Sequence, residues 1–208
     1  MRELPKHFLP LLVVIIAASL FVAAGLVGGP DNARDVAAIQ SLAAERSTQL
    51  ALTRRAIVIT HVGGAPGLVA ILLIAIASLA IARRWRDAMS LAGIVLGGRI
   101  LVEIFKIFIN RPRPSFGPFP VEVVSLSFPS GHAANSMITF LAIALIAAAA
   151  RMRVAAIVGA ILASGVIGAT RPLLGVHWPT DVIGGWAFGI GWVVALVALG
   201  RRWRGAAE

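Results

Sequence analysis

Long apolar runs alternate with short clusters of arginine along this chain. The run from Phe8 to Val27 is continuous over twenty residues, and comparable runs recur further along. About twenty apolar residues allow a helix to cross the hydrocarbon core of a bilayer, so these runs predict membrane-spanning helices. A secretory signal core is usually about 7–15 residues long. The first run is longer, so it is interpreted as a span rather than as a cleaved leader.

The pattern predicts an all-α polytopic membrane protein with six transmembrane helices in a bundle. The composition agrees, because 59% of the 208 residues are hydrophobic and the mean hydropathy is +0.90. This length leaves no room for a second domain beside six spans, so one domain covering residues 1–208 is predicted. The predicted spans are residues 8–27, 56–82, 91–109, 133–150, 154–170 and 182–199.

Residues 31–55 form the one sizeable polar segment. Asp31 is a candidate N-cap, and Val36, Ile39 and Leu42 share one face of the helix that would follow. We interpret the segment as a short helix in the membrane interface, bordering the path of a lipid, with a loose connector as the alternative.

Two further segments are predicted to be loops. Residues 110–129 hold five of the eleven prolines, which excludes a regular helix. Residues 171–181 are predicted to be a compact connection between the last two spans.

The positive charges indicate how the bundle is oriented. The net charge is +10, but the cations cluster at 83–86, 151–153 and 201–204, in short segments between apolar runs. This is the distribution of cytoplasmic loops rather than of a nucleic-acid-binding surface. Both termini are therefore predicted to be cytoplasmic, in the inner membrane. The proline loop, the start of the fourth span and the 171–181 connection then share the extracytoplasmic face.

The third predicted span carries three charges on one helical face: Arg99, Glu103 and Lys106. Charges at membrane depth usually face the interior of the bundle and have partners. Arg99 and Glu103 fit a structural ion pair. A transporter relay is the alternative from another functional class, but the polar groups gather at one membrane face and no internal repeat is visible, which disfavours transport.

The predicted topology brings the chemically useful side chains to one place. Lys106, Arg113 and Arg171 supply cations that match the oxygens of a phosphoryl group. Pro129-Ser130-Gly131-His132 begins the fourth span, and a helix start with a glycine suits an anion. An N-cap followed by a boundary histidine is the simpler interpretation of those four residues alone.

Two histidines supply candidate acid–base and nucleophilic groups. His177 precedes Asp181 by four residues, and a carboxylate beside a histidine fixes the tautomer and stabilises charge on the ring. His132, at the helix start, can then protonate a departing oxygen.

These motifs resemble the signature of the type 2 phosphatidic acid phosphatase (PAP2) superfamily. The family pattern is Lys-x6-Arg-Pro, Pro-Ser-Gly-His and Ser-Arg-x5-His-x3-Asp. The match covers about 76 residues, from Lys106 to Asp181. Thr170 stands where the family commonly has serine, and it keeps the hydroxyl group.

The resemblance implies a role for each matching residue. His177 would attack phosphorus and become a phosphohistidine, Asp181 would orient His177, and His132 would be the general acid. The family works without a metal or another cofactor. Arg111 also precedes a proline, but its spacing from Lys106 gives it a secondary role. The implied phosphate-binding residues are Lys106, Arg113, Ser130, Gly131 and Arg171.

The implied activity is hydrolysis of a lipid phosphate monoester or diphosphate, with the lipid bilayer as the other partner. Candidate substrates are an isoprenyl diphosphate, phosphatidic acid and phosphatidylglycerol phosphate. A lipid A phosphatase or a lipid phosphotransferase of the same fold is the alternative. The sequence alone leaves the lipid and the oligomeric state open.

Overall fold

The chain folds into a bundle of α-helices. The computed structural model describes residues 8–117, 119–123 and 125–205, and this part contains helices and no strands. Arg2 and Lys6, two predicted cytoplasmic cations, lie outside the described residues, as does the side chain of Arg204. The helices are α1 (Phe8–Val27), α2 (Ala33–Thr48), α3 (Leu50–Val62), α4 (Ala65–Ile81), α5 (Trp85–Ile109), α6 (Gly131–Ile146), α7 (Arg153–Leu173) and α8 (Pro179–Gly205), with a 3₁₀ turn at Ala150–Met152.

The helices confirm a membrane-spanning all-α protein. Three described helices are long and apolar enough to cross a membrane: α1, α8 and the segment Ala150–Leu173. A fourth crossing results if α3 and α4, which meet at a bend of 44°, form one broken span. The other two predicted crossings would be the charged helix α5 and the shorter α6, and neither is among these candidate spans. For these two helices, the prediction of six spans stays a prediction.

The second predicted span, 56–82, is divided. α3 ends at Val62, Gly63 and Gly64 separate the helices, and α4 begins at Ala65 with a proline in its first turn. A Cβ on Gly63 would lie 2.2 Å from Cγ2 of Ile167, so the glycine allows α7 to approach the break. The sequence indicated a loosened start of the second predicted span. The full break between α3 and α4 depends on the contact with α7.

The prediction of a loop over 171–181 is wrong at both ends. Arg171 and Pro172 lie in the last turn of α7, and Asp181 lies in the first turn of α8. Only residues 174–178 connect the two helices. Gly175 has φ +76°, a left-handed conformation that turns the chain sharply. The short connection holds His177 rigidly between two helix ends.

The polar segment 31–55 contains a helix, as predicted, but its N-cap is Asn32 rather than Asp31. The Asn32 Oδ1 accepts hydrogen bonds from the backbone N–H groups of Arg34 and Asp35, at 2.9 and 3.0 Å. Ile39, on the predicted apolar face, is fully buried. The helix thus docks against the bundle, where α2 contacts α7 and α8.

Close approach of helices α6 and α8 positions the start of α6. A Cβ on Gly185 would lie 2.8 Å from the carbonyl oxygen of Ser130, and one on Gly189 would lie 2.9 Å from Cβ of Met137. Both glycines therefore permit backbone contact between the two helices. α1 covers α8 on the outside, and its outer side chains, such as Leu9 and Leu26, are exposed as expected for contact with lipid.

Candidate active site

One cavity of about 410 Å³ opens where α4, α5, α6 and α7 meet the proline-rich loop. We call it the polar cavity. Six of the eight predicted site residues line it: Lys106, Arg113, Gly131, His132, Arg171 and His177. The structure therefore brings together residues that are up to 71 positions apart in the chain.

Lys106 lies beside the start of α6. Its Nζ donates to Glu103 Oε1 at 3.1 Å and to Ser125 Oγ at 3.2 Å. A Cβ on Gly131 would lie 3.3 Å from the same Nζ, so the glycine makes room for the ammonium group. Glu103 thus pairs with Lys106, and the Arg99–Glu103 ion pair expected from the sequence does not form among the described residues.

Arg113 links the proline-rich loop to His177. Its Nε donates to the carbonyl oxygen of Ser125 at 2.6 Å, and NH1 donates to the carbonyl oxygen of Val176. The same NH1 lies 3.1 Å from His177 Nε2. A guanidinium can only donate, so Nε2 accepts this hydrogen bond and the ring proton is on Nδ1.

His177 is a buried, neutral imidazole. Nδ1 lies 3.3 Å from Asp181 Oδ2, so the Nδ1 proton faces a carboxylate. Burial lowers the pKa of His177 to about 4, and the hydrogen bond to Asp181 opposes this shift. The ring is therefore neutral near pH 7, with the lone pair of Nε2 at the cavity wall.

Asp181 is enclosed by four donors. Oδ2 accepts from the backbone N–H of Trp178 at 2.8 Å, from Ser127 Oγ and from His177. Oδ1 accepts from NH1 of Arg111 at 2.8 Å. A carboxylate with this many donors holds a fixed orientation, and so does the imidazole bonded to it.

Arg111 has a structural position that the sequence did not reveal. It lies outside the cavity lining and is buried. NH2 donates to the carbonyl oxygens of Ala24 and Gly25, both at 2.8 Å, and the guanidinium carbon lies 4.4 Å from the ring centre of Phe128. The repeated Arg-Pro signalled its presence, but spacing alone could not assign it to Asp181.

A second buried carboxylate supports this network from the side of α2. Asp35 accepts from the backbone N–H of Gly29 at 2.8 Å and from Thr180 Oγ1 at 2.5 Å. Thr180 Oγ1 also accepts from Arg111 NH1 at 3.1 Å. Asp35 is thus connected to Asp181 through two side chains. No sequence motif indicated this role.

Arg171 and His132 face the cavity from the ends of two helices. Arg171 NH1 donates to Thr60 Oγ1 at 2.6 Å, whereas its buried Nε has no partner among the described residues. The guanidinium thus retains free donors for an anion. His132 lines the cavity in the first turn of α6. Its Nε2 lies 3.8 Å from where a Cβ on Gly64 would be, so the break between α3 and α4 makes space for the ring.

Ser130 lies behind the cavity wall. It is the N-cap residue of α6, but its side chain makes no capping hydrogen bond, and its buried Oγ has no partner in the described part of the chain. Its backbone N–H donates to the carbonyl oxygen of Asp181 at 3.0 Å, which ties the two helix starts together. The predicted contact of its hydroxyl with phosphate stays a prediction.

The arrangement suits a tetrahedral oxyanion. Three cations and the first turn of α6 surround the space in front of His177 Nε2. The residues that the structure describes contain no cluster of three or more His, Cys, Asp or Glu side chains.

Two similar relatives among known proteins are phosphatases. Phosphatidylglycerophosphatase B of Bacillus subtilis is 31% identical over 138 residues, which are 64% of this chain and 67% of that protein. The lipid A 1-phosphatase of Rhizobium etli is 39% identical over 124 residues, 55% of this chain and 50% of that protein. This chain therefore matches about half the length of that relative.

A solved structure has the same fold. The crystal structure of a transmembrane PAP2 type phosphatidylglycerolphosphate phosphatase from Bacillus subtilis superposes with a TM-score of 0.80. It is 26% identical, and the match covers 93% of this chain and 96% of that one. The PAP2 superfamily model matches residues 87–204, which is more than half of the sequence and includes every residue of the predicted site. The chain is therefore a member of the PAP2 superfamily.

Proposed function

We propose that the protein is an integral-membrane lipid phosphatase that works through a phosphohistidine. One observation carries the proposal: a neutral histidine, bonded to a carboxylate, presents Nε2 to the cavity that Lys106, Arg113 and Arg171 line. Membership of the PAP2 superfamily and the phosphatase names of the relatives support the same reaction class. The apolar helices make a lipid the natural substrate, because its tail can stay in the hydrocarbon.

The first step transfers the phosphoryl group to the enzyme. Nε2 of His177 attacks phosphorus, and the bond between phosphorus and the lipid oxygen breaks. His132 gives its proton to the departing oxygen, which leaves as an alcohol. The Asp181 carboxylate stabilises the positive charge that develops on the His177 ring. A bound phosphate dianion favours the protonated form of His132 before this step.

The second step releases phosphate. His132, now neutral, takes a proton from a water molecule, and the water oxygen attacks phosphorus. The bond between phosphorus and Nε2 breaks, and His177 returns to its neutral form. An alcohol in place of water would make the enzyme a phosphotransferase, which is the alternative outcome at the same intermediate.

Lys106, Arg113 and Arg171 are proposed to hold the phosphate oxygens. Lys106 must exchange its bond with Glu103 for one with phosphate, and Arg113 must release Nε2 of His177 before attack. Both changes need only exchanges of hydrogen bonds, because the charged phosphate oxygens are strong acceptors that take the place of Glu103 and of Nε2. The three cations then stabilise the charge on the transferring group.

The substrate is proposed to be a lipid such as phosphatidylglycerol phosphate, the substrate in the name of the solved relative. Lipid A phosphorylated at position 1 is the second candidate, favoured by the 39% identity to a lipid A 1-phosphatase. Phosphate release by the purified protein should be measured with both lipids, phosphatidic acid, an isoprenyl diphosphate and glucose-6-phosphate. Efficient release from glucose-6-phosphate alone would contradict a lipid phosphatase.

The active site is proposed to face the extracytoplasmic side, with six crossings and both termini inside. The clusters of arginine at 83–86 and 151–153, at the opposite end of the bundle, support this orientation. The sequence contains no cysteine, so single cysteines can be labelled in intact cells with an impermeant reagent. Ser115→Cys, in an exposed loop position, should be labelled and Met152→Cys should not. The reverse pattern would overturn the orientation.

A further inference from the structure

The polar cavity extends beyond the phosphate-binding cations to a fourth one, Arg99. It lies on the same face of α5 as Lys106, seven residues closer to the middle of the helix. At 1.5 Å per residue this is about 10 Å along the helix axis. Arg99 is half-buried, and no hydrogen bond or ion pair engages it within the described part of the chain.

The predicted third span places this uncompensated arginine within the membrane, where it needs a partner. Charged side chains within the membrane are costly and usually have a partner of opposite charge. Glu103, the nearest candidate by sequence, is occupied by Lys106. The cavity beside Arg99 therefore offers a position for an anion supplied by a ligand.

A second unpaired group lines the same cavity as Arg99 and Lys106. Asn135 lines the polar cavity one turn after Gly131, and its buried side-chain oxygen has no partner among the described residues. A buried acceptor without a donor is unusual, because its desolvation is uncompensated. A hydroxyl group of a ligand would satisfy it.

An apolar recess adjoins Arg99. A small cavity shares Leu68, Arg99 and Asn135 with the polar cavity and is otherwise lined mainly by aliphatic side chains of α4 and α5, including Leu72, Val95 and Leu96. A lipid that extends from His177 past Asn135 and Arg99 would thus reach apolar surface next.

We propose that Arg99 and Asn135 form a subsite for the linking part of the lipid headgroup: a phosphodiester at Arg99 and a hydroxyl at Asn135. The inference rests on the proposed lipid phosphatase activity. The ligand class is a diacylglycerol phosphodiester whose glycerol headgroup ends in a phosphate monoester, as in phosphatidylglycerol phosphate. Its terminal phosphate meets Lys106, Arg113 and Arg171.

The order of groups along such a lipid agrees with their order in the protein. From the reacting end, it has a terminal phosphate, a secondary hydroxyl, a phosphodiester and the acyl chains. In the protein, the catalytic cations line the polar cavity alone, whereas Asn135 and Arg99 line both the polar cavity and the apolar recess. The Asn135 amide also lies beside Gly131, which adjoins Lys106. Phosphatidic acid has no second phosphate, and the two phosphates of an isoprenyl diphosphate share an oxygen and are too close together.

The test compares two lipids with identical acyl chains, phosphatidylglycerol phosphate and phosphatidic acid, in the same detergent. The measured quantity is the ratio of their kcat/KM values. Arg99→Gln should lower this ratio by about ten- to a hundred-fold, the usual worth of a hydrogen bond to a charged group. Most of the change should be in KM, because the subsite binds a part of the lipid that does not react.

Three further variants sharpen the result. Arg99→Lys keeps the charge and should recover most of the ratio, and Asn135→Leu should lower it by a smaller factor. Arg86→Gln removes an exposed arginine from the first turn of the same helix, outside the cavity, and should leave the ratio unchanged. Thermal unfolding of each purified variant identifies any that does not fold.

The outcomes separate this inference from the proposed function. If the wild type releases phosphate from both lipids and Arg99→Gln lowers both efficiencies equally, the subsite is wrong and the phosphatase activity stands. If the wild type releases phosphate from neither these nor the other lipids, the proposed function fails and the subsite fails with it.

Discussion

The two ends of the bundle are held together by different forces. At the site end, Asp35, Arg111, His177 and Asp181 are all buried, and each hydrogen bonds to one of the others or to Thr180. At the other end, a cluster of buried aliphatic side chains packs α4, α5, α6 and α8 together, with Leu91, Leu141 and Val193 among its members.

The difference shows that the site end fixes the positions of particular side chains, whereas the other end fills the interior of the bundle. Hydrogen bonds between buried charged groups have direction, so they set the position of His177 closely. Aliphatic packing tolerates rearrangement as long as the volume is filled. We therefore expect substitutions at the site end to change the chemistry, in some cases together with stability, and those at the other end to change stability alone.

The largest effect is expected for His177→Ala. It removes the proposed nucleophile, so both turnover and the covalent phosphoenzyme should disappear. After incubation with labelled lipid phosphate, rapid quenching into an alkaline denaturant, in which phosphohistidine is stable, measures the intermediate. A variant that still traps labelled phosphate would show that another residue attacks.

His132→Ala should come next, with a loss of about 10²–10⁴-fold in kcat, the usual contribution of general acid–base catalysis. Part of the loss should be recovered with an aryl phosphate, because its leaving group does not need a proton. Equal losses for lipid and aryl substrates would contradict the role of a general acid in the first step.

Arg111→Met tests whether the buried network positions His177. It leaves the Asp181 carboxylate without its cation, which should destabilise the fold by about 3–5 kcal/mol. The uncompensated carboxylate should also raise the pKa of His177 above its value of about 4. Since the neutral ring is the proposed nucleophile, the acid limb of kcat/KM should move to higher pH.

Arg151→Met, at an exposed arginine far from the site, is the matched control. It should change neither the stability of the fold nor the pH of the acid limb. If Arg111→Met lowers the unfolding temperature but leaves the acid limb of kcat/KM unshifted, Arg111 has a structural role only.

Leu141→Ala tests the apolar end. The side chain is buried in the aliphatic cluster, so its truncation should cost about 2–5 kcal/mol of stability. At a temperature where the variant is folded, its kcat should equal that of the wild type. A large fall in kcat would show that the two ends of the bundle are coupled.

The smallest effect is expected on removal of divalent ions. Lys106, Arg113 and Arg171 are the proposed source of positive charge for the phosphate, so exhaustive chelation should leave activity unchanged. Vanadate should inhibit, because it adopts the geometry of the transition state. Activity that is lost in chelator and restored by magnesium would indicate a different mechanism.

The sequence by itself determined the class of the protein and six of the fifteen residues that line the polar cavity. Hydrophobic runs are long enough to identify helices, since the required length is a property of the bilayer. α1 has the predicted bounds, and a helix is present within residues 31–55. Spacing within motifs also identified six residues that line the polar cavity.

The family spacing favoured Arg113 over Arg111 for the phosphate, but the tertiary structure decided what each of these arginines contacts. Arg111 and Arg113 are each followed by proline, which favours an extended backbone whose alternate side chains have the same direction. The local backbone conformation therefore does not distinguish the two arginines. Their hydrogen-bond partners do: Arg111 contacts Asp181 and the end of α1, whereas Arg113 contacts His177 from the loop side.

The same reason explains the other residues that the sequence did not identify. Asp35 and Thr60 have no motif around them, and each acquires its role from a partner more than a hundred positions away in the chain, Thr180 and Arg171 respectively. Hydropathy and motif spacing are local properties, whereas the pairing of buried polar groups depends on which helix ends meet. For this protein, helix packing decided that pairing.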